Sequence, residues 1–197
     1  MLSLGAERRM GSATLGVSWS DMSEESSVLG SRFGPLFGSP GATSSFLDIE
    51  ARLPAGTSGW ITSAGIRQGW TRAAAGGLST RETLIRSASW RLDLWRNDLL
   101  ARRDHFALRV SQPLRVSSGA FALTLPTSYD YFSGATEGTS TTFDLTPGGR
   151  EIDVESSYSL PLASGTLNVN LFWRKDAGHF AAMADDGGAA IRFSRSF

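Results

Sequence analysis

Apolar and polar residues alternate along most of this chain, which is typical of β-strands whose two faces meet different surroundings. The clearest case is the segment 150–161, where one parity is apolar and the other is mainly acidic. The apolar positions are Ile152, Val154, Tyr158 and Leu160. The acidic positions are Glu151, Asp153 and Glu155. The pattern therefore predicts a strand with one apolar and one charged face.

Two hairpins are predicted from pairs of such segments. After the short turn 163–165, residues 166–174 alternate again and place Leu167, Val169, Leu171 and Trp173 on one face. Alternation on both sides of a tight turn indicates that the two segments pair antiparallel. The same argument predicts that 105–113 pairs with 120–126 through the turn 117–119.

Further alternating segments bring the expected total to about nine or ten strands. They lie at 13–20, 47–53, 58–72 and 87–96. The segments 23–43 and 128–142 are rich in Gly, Ser and Thr, and they predict long loops. Within 78–104, two charged runs are compatible with one or two helical turns.

Composition limits the chemistry that the chain can perform. The 197 residues suit a single domain over 1–197, and nineteen basic residues balance nineteen acidic ones. Because no net positive field exists, a nucleic-acid partner is not expected. The chain has no cysteine, and its two histidines, His105 and His179, lie far apart in sequence. Neither a nucleophile-elbow motif nor a phosphate loop is present. We expect no enzymatic activity, no catalytic residue, no cofactor and no metal.

The alternation fits two architectures. Charged residues make up 19% of the chain, below the roughly 25% of typical soluble domains, which suggests that part of the outer surface faces something other than water. A closed barrel is the only strand structure that can cross a bilayer, and its strands alternate lipid-facing apolar and lumen-facing polar residues. A soluble β-sandwich uses the same alternation, so the pattern alone does not separate the two.

If the chain is a membrane barrel, its faces can be assigned. The charged positions Arg109, Glu151, Asp153 and Glu155 would then face the lumen, and Val154 and Val169 would face lipid. The tryptophans lie near predicted strand ends, which favours a girdle at the headgroup level over ordinary packing. They are Trp19, Trp60, Trp70, Trp90, Trp95 and Trp173.

The last segment of the chain also alternates, with Ile191, Phe193 and Phe197 on one parity. We expect it to be the closing strand, with Phe193 and Phe197 on its apolar side. A terminal aromatic residue after such a strand resembles the ends of many bacterial outer-membrane barrels. In those proteins the last strand is a recognition tag for the barrel assembly machinery.

Several motifs carry a more specific resemblance. They are Gly149-Arg150-Glu151-Ile152-Asp153, Tyr158, Pro161-Leu162, Gly165, the Leu-Phe-Trp-Arg run at 171–174, the Val-Ser-Gln-Pro-Leu-Arg-Val run at 110–116 and the Asp-Ala-Gly-His turn at 176–179. Together they resemble the translocator barrel of autotransporters, over about residues 87–197. The likeness is closest to the C-terminal barrel of proteobacterial autotransporters whose passenger is a subtilisin-like serine peptidase.

The resemblance implies an all-β, antiparallel up-and-down transmembrane β-barrel that anchors a passenger domain and helps to move it to the cell surface. Family barrels have about twelve strands; from this length we expect about 9–12 and leave open that the barrel is incomplete. The implied partners are lipid of the bacterial outer membrane, the barrel assembly machinery and a passenger of the same precursor. Residues 1–9 lack the apolar run of a signal peptide, so we expect the C-terminal part of a longer precursor. The alternative is a soluble secreted or surface β-sandwich that binds a ligand through the aromatic loop 129–132.

Overall fold

The computed structural model describes residues 1–32, 34, 41–55 and 57–195, and the chain is all-β. The described residues form eleven strands and one turn of 3-10 helix, at Ala177–His179. The strands are β1 Leu2–Met10, β2 Ala13–Glu24, β3 Ala42–Pro54, β4 Trp60–Ala73, β5 Thr83–Asn97, β6 His105–Ser118, β7 Ala120–Asp130, β8 Ala135–Asp144, β9 Ile152–Leu162, β10 Gly165–Lys175 and β11 Asp186–Ser194.

Nine strands form one large antiparallel sheet in the order β1-β2-β3-β4-β5-β6-β9-β10-β11. Neighbours in the sheet are therefore neighbours in sequence, except where β7 and β8 are inserted as a separate hairpin between β6 and β9. β1 and β11 are the edge strands. The predicted pairing of the segments 150–161 and 166–174 is confirmed, because β9 and β10 form a continuous ladder. It runs from the pair of Ile152 and Lys175 to the pair of Leu162 and Gly165.

The connections at the two ends of the sheet differ in length. At the short-turn end, β1–β2, β3–β4, β5–β6 and β9–β10 are joined by 11–12, 55–59, 98–104 and 163–164. At the long-connection end, the links are 25–41, 74–82, the insertion 119–151 and 176–185. The last strand, β11, runs from the long-connection end to the short-turn end.

The alternation in the sequence becomes two chemically different faces of the large sheet. On the apolar face, one row across the ladders reads Leu15, Ala51, Ala64, Leu92, Val110, Val154 and Trp173. On the polar face, the neighbouring row reads Arg52, Ser63, Asp93, Arg109, Glu155 and Phe172. Because side chains in a strand alternate with period two, each row belongs to one face only.

The β7–β8 hairpin corrects two expectations. The segments 105–113 and 120–126 do not pair; β7 pairs with β8 instead, and 128–142 is mostly strand rather than loop. The chain leaves β6 at Gly119, where an added Cβ would lie 3.2 Å from the backbone of Ile85. This close approach lets the hairpin turn away and lie against the long-connection end of the sheet. The register of β6 shifts near Pro113, beyond the last β6–β9 pair, Ser111–Asp153. There the missing N–H of proline breaks no ladder.

A small hydrophobic core fixes the base of this hairpin. Phe121 and Leu123 of β7 pack with Ile85, Ala73, Ala42 and Val28. Main-chain bonds hold it in place, with Thr124 N–H donating to Leu78 C=O at 3.0 Å and Thr80 N–H to Ala122 C=O at 3.2 Å. The outer part of the hairpin, by contrast, is exposed on both faces.

Two further sequence expectations change. The helical turns predicted within 78–104 do not form, because β5 occupies 83–97 and the remainder consists of turns, bends and coil. The strand β1 was not predicted, although Leu2, Leu4 and Ala6 share its apolar parity. In the expected closing strand, Phe193 lies on β11 opposite Leu167. Phe197 lies outside the described residues.

Candidate functional site

The polar face of the large sheet borders an open cavity of about 790 Å³. Side chains from β3, β4, β5, β6, β9 and β10 line this cavity. Strands as far apart in the ladder as β3 and β10 therefore border one space, so the polar face is concave. A second cavity of about 500 Å³ is lined by residues of β2 to β6, Asp48 and Arg67 among them.

An ion-pair network crosses the floor of the larger cavity. Asp93 lies directly between Ser63 and Arg109 in the ladder. Its carboxylate accepts a bond from Arg109 Nε at 2.6 Å and one from Ser63 Oγ at 3.0 Å, and Arg91 Nε lies 3.6 Å away. Arg91 also reaches Glu50 on β3, two strands away. The network therefore ties four neighbouring strands together through their side chains.

Two more arginines on this face have carboxylate partners. Arg67 binds Asp48 through two bonds, Nε to Oδ1 at 2.7 Å and Nη2 to Oδ2 at 3.2 Å. Arg52 lies 3.7 Å from Glu50 and also over the ring of Trp95, at 5.7 Å from its centroid. Exposed pairs of this kind contribute about 0–1 kcal/mol each. Their main effect is to fix where opposite charges lie around the cavity.

The predicted lumen residues fall into two groups. Arg109 and Glu155 are directly opposite each other on β6 and β9, and both line the larger cavity. Asp153 and Glu151 are joined instead by Arg174 of β10, whose Nε lies 3.1 Å from an oxygen of each carboxylate. All four lie at the polar face of the same sheet region, but only the first two contact the same open space.

Glu151 is buried where the strands meet the turn 176–179. Its Oε2 accepts the N–H of Gly178 at 2.6 Å, while its own N–H donates to His179 Nδ1 at 2.9 Å. The other ring nitrogen of His179 donates to Leu114 C=O at 3.2 Å. His179 is therefore a buried link between Leu114 of β6, Glu151 just before β9 and the turn 176–179, with both ring nitrogens occupied. His105 Nδ1 donates to Asn97 Oδ1 at 2.8 Å.

The opposite, apolar face is largely uncovered. Ile66 of β4, Leu92 of β5 and Ile191 of β11 are 58%, 50% and 74% exposed. No second sheet lies on this face among the described residues, since the core of the β7–β8 hairpin forms at one end of the sheet. Val154 and Val169 belong to this face, opposite Val110 and Tyr158. The predicted separation into an apolar and a charged side is thus present across the sheet.

The tryptophans do not all follow the predicted girdle. Trp19 and Trp70 stack at 5.9 Å on the apolar face towards the long-connection end, and Trp60 meets Phe106 edge-on at 6.1 Å at the other end. Trp90 pairs with Ile66 in the middle of the face. Trp95 lines the larger cavity. The residues therefore fit an aromatic belt at both ends only in part.

A buried carboxylate orders the turn 98–104 at the short-turn end. Asp104 accepts bonds from the backbone N–H groups of Leu99, Leu100 and Ala101 at 2.7, 2.9 and 2.8 Å, and from the Tyr158 hydroxyl at 2.6 Å. Burial favours the neutral acid and would raise the pKa of Asp104. The bonds from Tyr158 and the three N–H groups outweigh burial and lower the pKa from 3.8 to about 2.

Sequence reasoning missed the partners that complete the network. Asp48, Glu50 and Arg67 were not singled out as site residues, although Asp48 and Glu50 occupy the polar parity of β3. That parity is the signal that could have identified them. What it could not supply is the neighbour of each charge, because strand pairing determines the neighbours.

The described residues offer no arrangement typical of metal binding. No group of three or more His, Asp or Glu side chains within 1–32, 34, 41–55 and 57–195 is placed to hold a metal ion. In that part of the chain, moreover, no helix is both long and apolar enough to cross a membrane. Comparisons with protein-family models, with curated proteins and with solved structures return no significant match.

Proposed function

We propose that this chain is the translocator β-barrel of an autotransporter, set in a bacterial outer membrane, and that it acts by geometry rather than catalysis. Its apolar face would contact lipid, and its charged concave face would surround the route of a passenger segment. The family assignment rests on the sequence motifs of 87–197. The membrane assignment rests on the two faces of the sheet.

The observation that carries the proposal is the exposed apolar face. Its valine, leucine, isoleucine and tryptophan side chains continue from β1 to β11, on the convex side of the sheet. In water, burial of apolar surface is worth about 25 cal/mol per Å², so a face of this extent requires a cover. Acyl chains cover such a face in membrane barrels, whose lumen is polar.

The ends of the strands support one orientation. Outer-membrane barrels have short turns on the periplasmic side and longer loops outside. The short-turn end, where β11 finishes, would thus be periplasmic, and the β7–β8 hairpin would lie at the cell surface. Trp60 and Trp70 lie ten positions apart on the apolar face of β4. That separation is about 33 Å along the strand, or about 25 Å across a bilayer at a tilt near 40°, which matches the apolar band of such barrels.

Closure of the barrel is part of the proposal. A sheet edge in hydrocarbon leaves backbone N–H and C=O groups without partners, at several kcal/mol per group. The edges of β1 and β11 must therefore be paired in a membrane, and we propose that they pair with each other or with strands of the same precursor. Each residue of β1 is exposed in the isolated chain, which leaves its edge accessible.

The charged lumen would set what passes through it. Acidic and basic side chains alternate along the cavity and largely neutralise one another. Such a surface stays hydrated and has no strong affinity for a chain of either charge. It therefore suits passage of an extended segment better than retention of a ligand.

Single-cysteine labelling tests this proposal, because the natural chain has no cysteine. Ile191→Cys places the thiol on the apolar face of β11, and Arg192→Cys places it on the polar face one residue later. After refolding into phosphatidylcholine vesicles, we expect a water-soluble maleimide to label Arg192→Cys and to leave Ile191→Cys unmodified. The unheated protein should also migrate differently in a denaturing gel from the heated one.

The opposite result would favour the second candidate, a soluble surface module. Equal labelling of both variants, without detergent or lipid and with no heat-dependent mobility, would contradict the membrane barrel. One observation favours this alternative: Tyr129, Tyr131 and Phe132 at the tip of the β7–β8 hairpin are more than half exposed. Such a tip could bind a ligand of a soluble protein.

A further inference from the structure

The apolar face carries two adjacent arginines near its long-connection end. Arg72 of β4 lies opposite Leu84, and Arg86 of β5 lies opposite Trp70, so the two side chains are diagonal neighbours across one ladder. Diagonal Cβ atoms on one face are about 7–8 Å apart. Two long arginine side chains at that spacing can bind a single anion between them.

Arg72 and Arg86 differ from the arginines of the polar face in their carboxylate partners. Arg72 and Arg86 are exposed, and among the residues that the structure describes no acidic oxygen lies within salt-bridge distance of either guanidinium. The arginines that line the cavities on the polar face, in contrast, all have such partners. The described part of the chain thus provides carboxylates to its inward arginines and none to this outward pair.

The surroundings of the pair indicate where its anion would come from. Trp70 lies two residues before Arg72 on the same face and stacks on Trp19. Lys175 repeats the arrangement on β10, two residues after Trp173 and also exposed. An indole next to a cation, at the border of an apolar face, is the pattern of a membrane interface. Two acidic residues lie in that region: Asp21 already accepts bonds from Trp19 Nε1 and Ser45 Oγ. Glu82, two residues before Leu84, forms no salt bridge with either arginine in the described part of the chain.

We propose that Arg72 and Arg86 form a binding site for the phosphate group of an anionic membrane lipid. The guanidinium forks match phosphate oxygens, and the acyl chains of the same lipid would run down the apolar face past Trp70. This inference rests on the proposed membrane position. It adds a lipid class and an asymmetry, because it places the anionic lipid at the long-connection end.

The opposite end of the face provides a matched control. Arg8 of β1 and Arg96 of β5 also point outward, but three strands separate them, so they cannot share a phosphate. Arg96 lies over the ring of Trp60 at 5.7 Å. The double variant Arg8→Gln/Arg96→Gln removes the same charge from the same face as Arg72→Gln/Arg86→Gln.

The experiment follows lipid binding to protein folded in dodecyl maltoside micelles, whose folded state is first established by heat-dependent gel mobility. Phosphatidylglycerol is titrated in, and the rise in unfolding temperature gives an apparent dissociation constant. We expect Arg72→Gln/Arg86→Gln to weaken binding roughly 30-fold and the control pair to change it less than about threefold. Arg72→Lys/Arg86→Lys keeps the charges but loses the forked guanidinium groups. Its loss of binding should lie between those of the other two double variants.

Two further titrations identify the source of the phosphate. Neither phosphatidylcholine nor inorganic phosphate at the same concentration should raise the unfolding temperature. An equal effect of inorganic phosphate would overturn the lipid assignment. If the protein folds in micelles but both double variants bind alike, the arginine site is wrong and the membrane proposal stands. A protein that folds only in water overturns both.

Discussion

Asp104 is the residue whose chemistry the structure defines most closely. Its folded pKa of about 2 lies below the ordinary value of 3.8, so folding favours the ionised form. A group with a lowered folded pKa stabilises the protein fully above its unfolded pKa and loses that contribution as pH falls towards the folded one. The contribution of Asp104 should therefore disappear between about pH 4 and pH 2.

We expect Asp104→Asn to lower the unfolding free energy at neutral pH, since an amide nitrogen cannot accept the bonds that a carboxylate oxygen accepts. Tyr158→Phe should raise the pKa of Asp104 towards 3.8, because it removes the side-chain donor. Urea unfolding in micelles from pH 7 to pH 2 measures both effects. Asp98→Asn is the control, since Asp98 accepts a single bond, from Arg103 N–H, in the same turn. Equal acid sensitivity of all variants would contradict this role of Asp104.

The second prediction concerns Gly69 of β4, which lies under the ring of Phe46 and leaves no room for a larger side chain. An added Cβ would come within 2.8 Å of Phe46 Cε1 and would also meet Ser87 Oγ. We expect Gly69→Ala to cost about 1–3 kcal/mol, because a buried aromatic ring has to move. At Gly65, four positions earlier, the neighbour is the flexible Arg91 side chain at 3.3 Å. Gly65→Ala should cost less than about 1 kcal/mol in the same unfolding measurement. Equal costs would show that the ring does not limit this position.

The charge of a site residue was easier to predict than its neighbours. The alternation of β9 correctly separates Asp153 and Glu155 from Val154. It does not reveal that Arg174 joins Asp153 to Glu151, or that His179 binds the main chain of Glu151. Those contacts depend on the turn 176–179 folding back onto β9, and that path is not encoded in the period of either strand.

At the level of the elements, the sequence predicts those strands whose apolar and polar residues alternate. In β9 and β10 the apolar side chains lie mainly on one face of the strand and the polar ones mainly on the other. β8 is exposed along its whole length, so no burial imposes a pattern on it, and its Gly, Ser and Thr residues are typical of a loop. The alternation of β7 was visible, but period two specifies the faces of a strand and not its partner. The wrong pairing of β6 with β7 follows from that limit.

The β7–β8 hairpin gives the third prediction. Phe121 at its base is 1% exposed in the small core, whereas Phe132 at its tip is fully exposed. Phe121→Ala should lower the unfolding free energy by about 3–5 kcal/mol, because it leaves a cavity among Ile85, Ala73 and Leu123. Phe132→Ala should change it by less than about 0.5 kcal/mol. Equal effects in urea unfolding would show that the base of the hairpin is not fixed to the sheet.

At the scale of the whole molecule, two variants can test what covers each face of the sheet. They place arginine at adjacent positions of one strand, so that the charge lies on the apolar face in one variant and on the polar face in the other. Val169 lies at the middle of β10 on the apolar face, opposite Tyr158 and Ile191, while Asn170 lines the larger cavity. In lipid vesicles, Val169→Arg should cost about 2–4 kcal/mol, the penalty for arginine at the bilayer midplane. Asn170→Arg should cost less than about 1 kcal/mol, because its new charge remains hydrated in the open cavity that Glu155 also lines.

The contrast between these two variants depends on the surroundings and not on β-propensity, since both place arginine in the same strand. If water covers the apolar face, arginine at position 169 would be solvated, and the two costs would be similar and small. Similar costs in vesicles would therefore show that lipid does not cover the apolar face. A difference of about 2 kcal/mol or more in vesicles, with the larger loss at position 169, would require hydrocarbon outside and a hydrated space inside. That requirement is met by a barrel wall and by no water-exposed sheet.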